Sequence, residues 1–225
     1  MGSYTSIIRN DFLSLKPGSI FCANNIYRER FYDIPEATFY KVLERLVREA
    51  LLSRLAAGIY CIPRGTSLGM VNASEKDIVE YFTQNSSGAV VGYRLYNMAG
   101  ITTQVSGAVR IYSNVISEKT KRIKNIQVTR LPLSFTDKEI ILIKIMDILS
   151  NFASIEDLDR VAFRKYMRDA VQYYDDDTMS SVITAVSYRK STIAFFKDIL
   201  DSYGIPNNLA DYLSALSKYK IPEWR

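Results

Sequence analysis

Apolar and polar residues between positions 35 and 63 follow two periods in succession. Up to residue 50 the apolar residues recur at the spacing of one helical face, which predicts an amphipathic helix with Pro35 in its first turn. The apolar face carries Phe39, Val42, Leu43, Leu46, Val47 and Ala50. The polar face carries Thr38, Lys41, Glu44, Arg45 and Arg48. After Leu52 the period changes to two, and Gly58 can supply the positive φ of a tight turn, so a β-hairpin is predicted.

The segment before this helix predicts two further helices, a short strand and a turn. Thr5 or Ser6 can cap a first helix, whose apolar residues Ile7, Ile8, Phe12 and Leu15 lie near helical spacing. A short strand at residues 19–21, a helix at 23–31 and a turn at 32–34 follow. This order of elements, ending in a cationic helix and a hairpin, predicts a winged helix-turn-helix that places its last helix in a DNA major groove.

The candidate DNA contacts of this region are polar residues on three of its elements. We expect Thr38, Lys41 and Arg45 to face the groove, whereas Tyr40 lies at the margin and is as compatible with the core. The other candidates lie at the turn, in the wing and just after it: Arg28, Arg30, Arg54 and Arg64.

The rest of the chain completes an α+β fold. Residues 66–135 predict a mixed α/β section, with a capping box of Ser74 and Asp77 opening a helix to Gln84. Its β-like runs are residues 109–115, 123–128 and 130–133. We therefore predict a winged helix-turn-helix domain at residues 1–65 and a second domain at residues 66–225.

Residues 136–225 predict the helical part of that second domain. Thr136 and Glu139 form a capping-box pattern before a strongly apolar run. Further helices are expected to open at residues 154–157 and 177–178, and a helix over residues 191–203 is expected to end at Gly204. A last helix is predicted from Asn207 or Asn208 and includes Leu209, Tyr212, Leu213 and Leu216.

Charge is unevenly distributed along the chain, whose formal net charge is +5. Residues 1–135 carry 17 Lys and Arg against 10 Asp and Glu, a net +7, whereas residues 136–225 carry 12 against 14, a net −2. The excess suits a nucleic-acid surface in the first part. Four cations of the middle section, Lys119, Lys121, Arg122 and Lys124, could follow a phosphate backbone, or could be the solvated edge of a hairpin.

Several classes of site and location are disfavoured. The chain has two cysteines, Cys22 and Cys61, and no histidine, so it lacks the four ligands of a structural zinc site, and we expect no metal or cofactor. The cysteines are expected to be core residues in a reducing cytoplasm. No apolar run approaches membrane-spanning length.

An enzymatic function is not expected either. The run Asp175-Asp176-Asp177 could be a carboxylate site for a hard metal ion, but capping of a helix explains it better. No histidine can serve as a base, and no Gly-rich nucleotide-binding loop is present.

Two short sequence motifs resemble those of a known protein family in their order and spacing: LAAGIYCIP at residues 55–63 and NMAGITTQV at residues 97–105. The chain resembles AbiE-type antitoxins, which belong to type IV toxin-antitoxin systems of bacterial abortive infection. The resemblance covers residues 35–135 well. It implies a repressor that binds double-stranded DNA at inverted repeats in its own promoter, an arrangement that suits a homodimer. It also implies an antitoxin that counteracts a nucleotidyltransferase-like toxin without needing a stable complex with it.

Two alternatives remain at this point. The chain could be a stand-alone winged-helix transcription factor without a toxin partner. It could also be a protein-interaction module that has lost DNA binding, which would show no salt-dependent affinity for DNA.

Overall fold

The computed structural model describes residues 4–67 and 69–225 and has the predicted mixed α+β class. The chain divides into two compact units. The first unit runs to Tyr81 and also includes Arg122–Lys124, and the second comprises Phe82–Lys121 and Asn125–Arg225.

The first unit begins with three helices and a small sheet. The helices are α1 (Tyr4–Ser14), α2 (Ala23–Arg30) and α3 (Glu36–Arg48). The strands are β1 (Ile20–Cys22), β2 (Ser53–Ala56) and β3 (Ile59–Cys61). They form an antiparallel sheet in the order β1-β3-β2, so the predicted hairpin is present and β1 closes it on the far side. Gly58 has a φ of +74° in the hairpin turn, as the sequence predicts.

Aromatic rings fill the core between these elements. Phe12 stacks on Phe21 with ring centroids 4.8 Å apart, and Phe39 lies 5.4 Å from Phe31. The predicted apolar face of α3 is confirmed where it carries Phe39, Val42, Leu43 and Leu46, all of which are buried. Both cysteines are buried thiols. Ile7 does not follow the prediction, because it lies on the solvent side of α1 and is 48% exposed.

The end of α3 corrects the predicted apolar face. Ala50 is exposed and lies beyond the helix, with a φ of +58°. The Leu51 N–H donates to the Leu46 carbonyl at 3.0 Å, and the Ala50 N–H donates to the Val47 carbonyl at 3.0 Å. This pair of bonds is a Schellman motif, which places residue 50 in the left-handed region that usually takes glycine. The apolar periodicity alone could not show that the helix ends at Arg48, before Ala50.

The remainder of the first unit contains an antiparallel pair, β4 (Arg64–Thr66) and β5 (Gly69–Val71), and most of α4 (Glu75–Thr83). The predicted capping box is present, since the Ser74 N–H donates to the Asp77 carboxylate at 2.8 Å and the Asp77 N–H donates to Ser74 Oγ at 3.2 Å. The Cys22 N–H donates to the Tyr81 hydroxyl at 2.9 Å. This bond ties α4 to β1, and the compact unit accordingly extends past the domain boundary predicted at residue 65.

A four-stranded sheet follows, in the order β6-β7-β9-β8. Its strands are β6 (Gly88–Val91), β7 (Val109–Ser113), β8 (Thr120–Ile123) and β9 (Ile126–Arg130), and α5 (Tyr93–Met98) lies between the first two in sequence. The predicted strand over residues 123–128 is wrong, because the chain turns at Lys124, whose φ is +53°. Residues 131–133 are not a strand either.

Helices make up the end of the second unit: α6 (Asp137–Asn151), α7 (Arg160–Ala170), α8 (Asp176–Ala185) and α9 (Lys190–Ser202). The capping box of Thr136 and Glu139 is confirmed, as is the end of α9, where Gly204 has a φ of +67°. The predicted helix starts at residues 154–157 and 177–178 are wrong, because Asp159 caps α7 and Asp175 caps α8.

The last predicted helix is also wrong. Only a short 3₁₀ turn, Leu209–Tyr212, forms there. Leu209 is buried in the core of the second unit, whereas Leu216 is 99% exposed. One buried apolar residue anchors this segment, which is too little to continue the helix through Leu216.

Candidate nucleic-acid interface

The exposed face of α3 brings together three of the predicted contacts. Thr38, Lys41 and Arg45 are spaced by three and four residues and so share one side of the helix. Lys41 and Arg45 are exposed and Thr38 is half-buried. The burial of the opposite side, where Phe39 is 0% exposed, fixes the rotation of the helix and keeps this face in solvent.

Arg48 extends this face and was missed as a candidate contact. It lies three residues after Arg45 and seven after Lys41, and it is exposed at the end of α3. The same helical spacing that selected Lys41 and Arg45 could have found it. Among the described residues, no carboxylate lies within ion-pairing distance of Lys41, Arg45 or Arg48. The cationic face of α3 is therefore available to an external anion.

Tyr40 lies between the exposed face and the core. It is half-buried, and its ring meets that of Phe39 edge-on with centroids 5.3 Å apart. It also packs against the apolar core of the first unit. The side chain thus supports the helix from its margin, and only part of it faces solvent.

The two arginines of α2 differ from each other. Both are exposed in the last turn of the helix. Arg30 pairs with Asp11 of α1 at 3.2 Å, whereas Arg28 has no ion pair in the described part of the chain. Arg28 is the arginine of this pair that can contact a ligand without first breaking an internal contact.

Arg54 lies on β2 of the hairpin, in register with Tyr60 on β3. Burial raises the pKa of the Tyr60 hydroxyl, the nearby Arg54 charge opposes that rise, and the Glu44 carboxylate adds to it. Arg54 of the hairpin and Glu44 of α3 are therefore both near enough to Tyr60 for their charges to act on its hydroxyl. Arg54 itself is exposed.

Arg64 makes contacts within the first unit. Its guanidinium pairs with the Asp77 carboxylate at 3.0 Å. It also covers Gly18, where an added Cβ would lie 2.0 Å from Arg64 Nε. The need for glycine at residue 18 comes from its φ of +89°, which L side chains rarely adopt. The ion pair with Asp77 occupies the Arg64 guanidinium within the fold.

The four cations of the middle section do not share one face. Strand alternation puts Lys121 on the side of the buried Ile123, so that its side chain is only 11% exposed and pairs with Glu118. Lys119 and Arg122 are exposed. Lys124 is exposed at the turn, where its Nζ lies 3.5 Å from the Ala73 carbonyl oxygen. Three of the four cations are therefore accessible.

The aspartates considered as a metal site have another role. Asp175 accepts a hydrogen bond from the Thr178 N–H at 2.8 Å and pairs with Lys138 at 2.8 Å. These contacts lower the pKa of Asp175 to about 2, the Lys138 bond contributing most. Within residues 4–67 and 69–225, no group of three or more thiol or carboxylate side chains is arranged to hold a metal ion.

No helix of the described ranges has the length and apolar character needed to cross a membrane.

A protein-family profile described as "Family of unknown function (DUF6088)" matches residues 8–135. The match spans more than half of the chain, which therefore belongs to this family. No curated protein matches the chain.

Proposed function

We propose that this member of the DUF6088 family is a sequence-specific transcriptional repressor that binds double-stranded DNA through its first unit. The observation that carries the proposal is the face of α3, where Lys41, Arg45 and Arg48 are exposed without carboxylate partners among the described residues. Unpaired cations on a rigid helix suit the phosphates and base edges of a major groove.

The arrangement of elements supports a winged helix-turn-helix. A helix and a short strand precede α2 and α3, a five-residue connection at residues 31–35 joins those two helices, and the hairpin of β2 and β3 follows at once. In this arrangement α3 is the recognition helix and the hairpin is the wing. Lys41 and Arg45 would contact bases, while Arg28, Arg48 and Arg54 would contact phosphates.

The biological role proposed for the repressor is that of an antitoxin. It rests on the resemblance to AbiE-type antitoxins. In this role the first unit represses the promoter of its own operon at inverted repeats, and residues 136–225 oppose a nucleotidyltransferase-like toxin. The net negative charge of residues 136–225 supports separate tasks, because that part would be repelled by DNA phosphates.

Selection from a pool of random-sequence DNA duplexes tests the DNA-binding proposal with the full chain. We expect enrichment of an inverted repeat, and an affinity for the enriched duplex that falls steeply with salt concentration. An unenriched pool with no salt-dependent binding would reject the proposal and favour a protein-interaction module.

Co-expression with the nucleotidyltransferase encoded nearest to this gene tests the antitoxin role separately. We expect rescue of growth by the wild-type chain and by a Lys41→Gln/Arg45→Gln variant that no longer represses. Repression without rescue would instead identify a stand-alone transcription factor.

A further inference from the structure

A polar cleft of about 460 Å³ lies entirely within the second unit. Strand β7, helix α6 and the start of helix α9 with the segment before it form its walls. Polar side chains dominate the lining: Arg110, Tyr112, Asp147, Tyr188, Arg189 and Thr192. The cleft is far in sequence from α3 and has no part in the proposed DNA contact.

Asp147 provides an acceptor in the cleft although it is only 5% exposed. Its Oδ2 accepts hydrogen bonds from the Gly92 N–H at 2.7 Å and from the Tyr96 hydroxyl at 2.8 Å. Its Oδ1 has no hydrogen bond to any described residue. A carboxylate oxygen that lines a cleft and has spare capacity can accept a hydrogen bond from a ligand.

Two hydroxyl groups near Asp147 also lack partners. The Tyr188 hydroxyl is buried and has no hydrogen bond in the described part of the chain. Thr192 is 6% exposed, lines the cleft, and its hydroxyl has no hydrogen bond to the described residues. The Thr192 side chain lines the cleft, and its hydroxyl can donate a hydrogen bond to a ligand there.

Positive charge surrounds the cleft entrance. Arg110 and Arg189 are exposed and have no carboxylate within ion-pairing distance among the described residues. Arg189 precedes α9, a helix of 13 residues whose first turn has no side-chain cap. The dipole at such a helix start favours an anion, and guanidinium groups bind phosphate oxygens well.

We propose that this cleft binds a small phosphomonoester that also carries a hydrogen-bond donor such as an amino group. The phosphate lies against Arg110, Arg189 and the start of α9, with Thr192 donating to one of its oxygens. The donor at the other end of the ligand is accepted by Asp147 Oδ1. An aminoalkyl phosphate and a nucleoside monophosphate share this chemistry, and the experiment separates them.

Isothermal titration calorimetry of the full chain tests the proposal with inorganic phosphate, phosphoethanolamine and the four ribonucleoside 5′-monophosphates. We expect at least one phosphomonoester to bind with one-to-one stoichiometry, and at least about tenfold more tightly than inorganic phosphate, because only the former can also reach Asp147. Binding of phosphoethanolamine indicates an aminoalkyl phosphate, and binding of a nucleotide alone indicates a nucleotide site. Absence of binding by every phosphomonoester would overturn the proposal.

Variants locate the bound probe. Arg189→Gln and Thr192→Val should each weaken binding by about tenfold, because each removes one contact to the phosphate. Arg168→Gln, which removes an exposed arginine of α7 outside the cleft, should leave the affinity unchanged. If Arg189→Gln does not fold, Arg110→Gln replaces it. Equal affinities of wild type and the folded cleft variants would show that the probe binds elsewhere, and would overturn the assignment.

Discussion

Helix α3 and strand β8 are both rich in cations in the sequence, but they present them differently. On α3 the buried face of Phe39, Val42 and Leu46 leaves the cations together on the opposite side. On β8 the alternation of the strand turns Lys121 toward the interior, while Arg122 remains in solvent. The period of the element, rather than the number of cations, therefore decides which charges form one surface.

The largest expected effect follows from the α3 surface. A Lys41→Gln/Arg45→Gln variant should bind the selected operator more weakly by about 2–6 kcal/mol, since removing each of two base-reading side chains costs about 1–3 kcal/mol. Fluorescence anisotropy with a labelled duplex measures it. Lys165→Gln/Arg168→Gln is the matched control, because it removes two exposed cations from α7. Operator affinity that is equal in the folded α3 variant and the wild type would reject α3 as the recognition helix.

A smaller effect is expected from the accessible cations around β8. Replacing Lys119, Arg122 and Lys124 with Gln should weaken binding to operator and random duplexes by similar factors, because phosphate contacts do not read sequence. The slope of log affinity against log salt should become shallower by up to about 0.9 for each phosphate that is no longer neutralised.

Lys121→Gln provides the matched control for that experiment. It removes a cation from the same strand, but one whose side chain is 11% exposed and paired with Glu118. Its salt slope should equal that of the wild type. If the slope of the triple variant is also unchanged, the cations around β8 do not contact phosphates and form only a solvated edge of the sheet.

Two positions with positive φ test the backbone conformation at the end of α3 and in the hairpin turn. Gly58 and Ala50 both have positive φ, +74° and +58°. Gly58→Ala should destabilise the protein and Ala50→Gly should stabilise it, each by about 1 kcal/mol, because only glycine tolerates this conformation without strain. Urea denaturation measures both changes. Shifts of the same sign in the two variants would contradict the Schellman end of α3.

The smallest effect concerns the second unit alone. Asp175→Ala should destabilise it by about 1 kcal/mol at neutral pH, because the cap of α8 is removed. The pKa of Asp175 is lowered from 3.8 to about 2 in the folded chain, so its stabilising contribution is complete above about pH 4 and is lost as the pH falls toward 2. Thermal unfolding at pH 7 and pH 2 should show a much smaller difference between variant and wild type at pH 2 than at pH 7, with operator affinity unchanged at pH 7.

The sequence predicted correctly those elements that depend on interactions between residues close together in the chain. The buried residues of α3, the hairpin turn at Gly58 and the capping box of Thr136 and Glu139 each depend on residues within a few positions of one another. The turn at Lys124 was missed, because a non-glycine residue with positive φ has no clear pattern in sequence.

Among the candidate site residues, too, only those that depend on local spacing could be predicted from the sequence. Helical spacing found Lys41 and Arg45, but it could not show that Arg30, Arg64 and Lys121 pair with carboxylates. Those partners come from distant segments or depend on which way a strand faces. The cleft in the second unit had no sequence pattern, because its lining joins Arg110, Asp147 and Thr192 from three separate elements.

The most direct test of the central claim, that the exposed face of α3 reads DNA sequence, is a charge-preserving substitution. Arg45→Lys keeps the positive charge and loses the planar fork that binds a base in two places. The ratio of affinities for the operator and a scrambled duplex, measured at one salt concentration, should fall by about tenfold, with affinity for the scrambled duplex unchanged. An unchanged ratio would show that Arg45 contributes charge alone, and would contradict the claim.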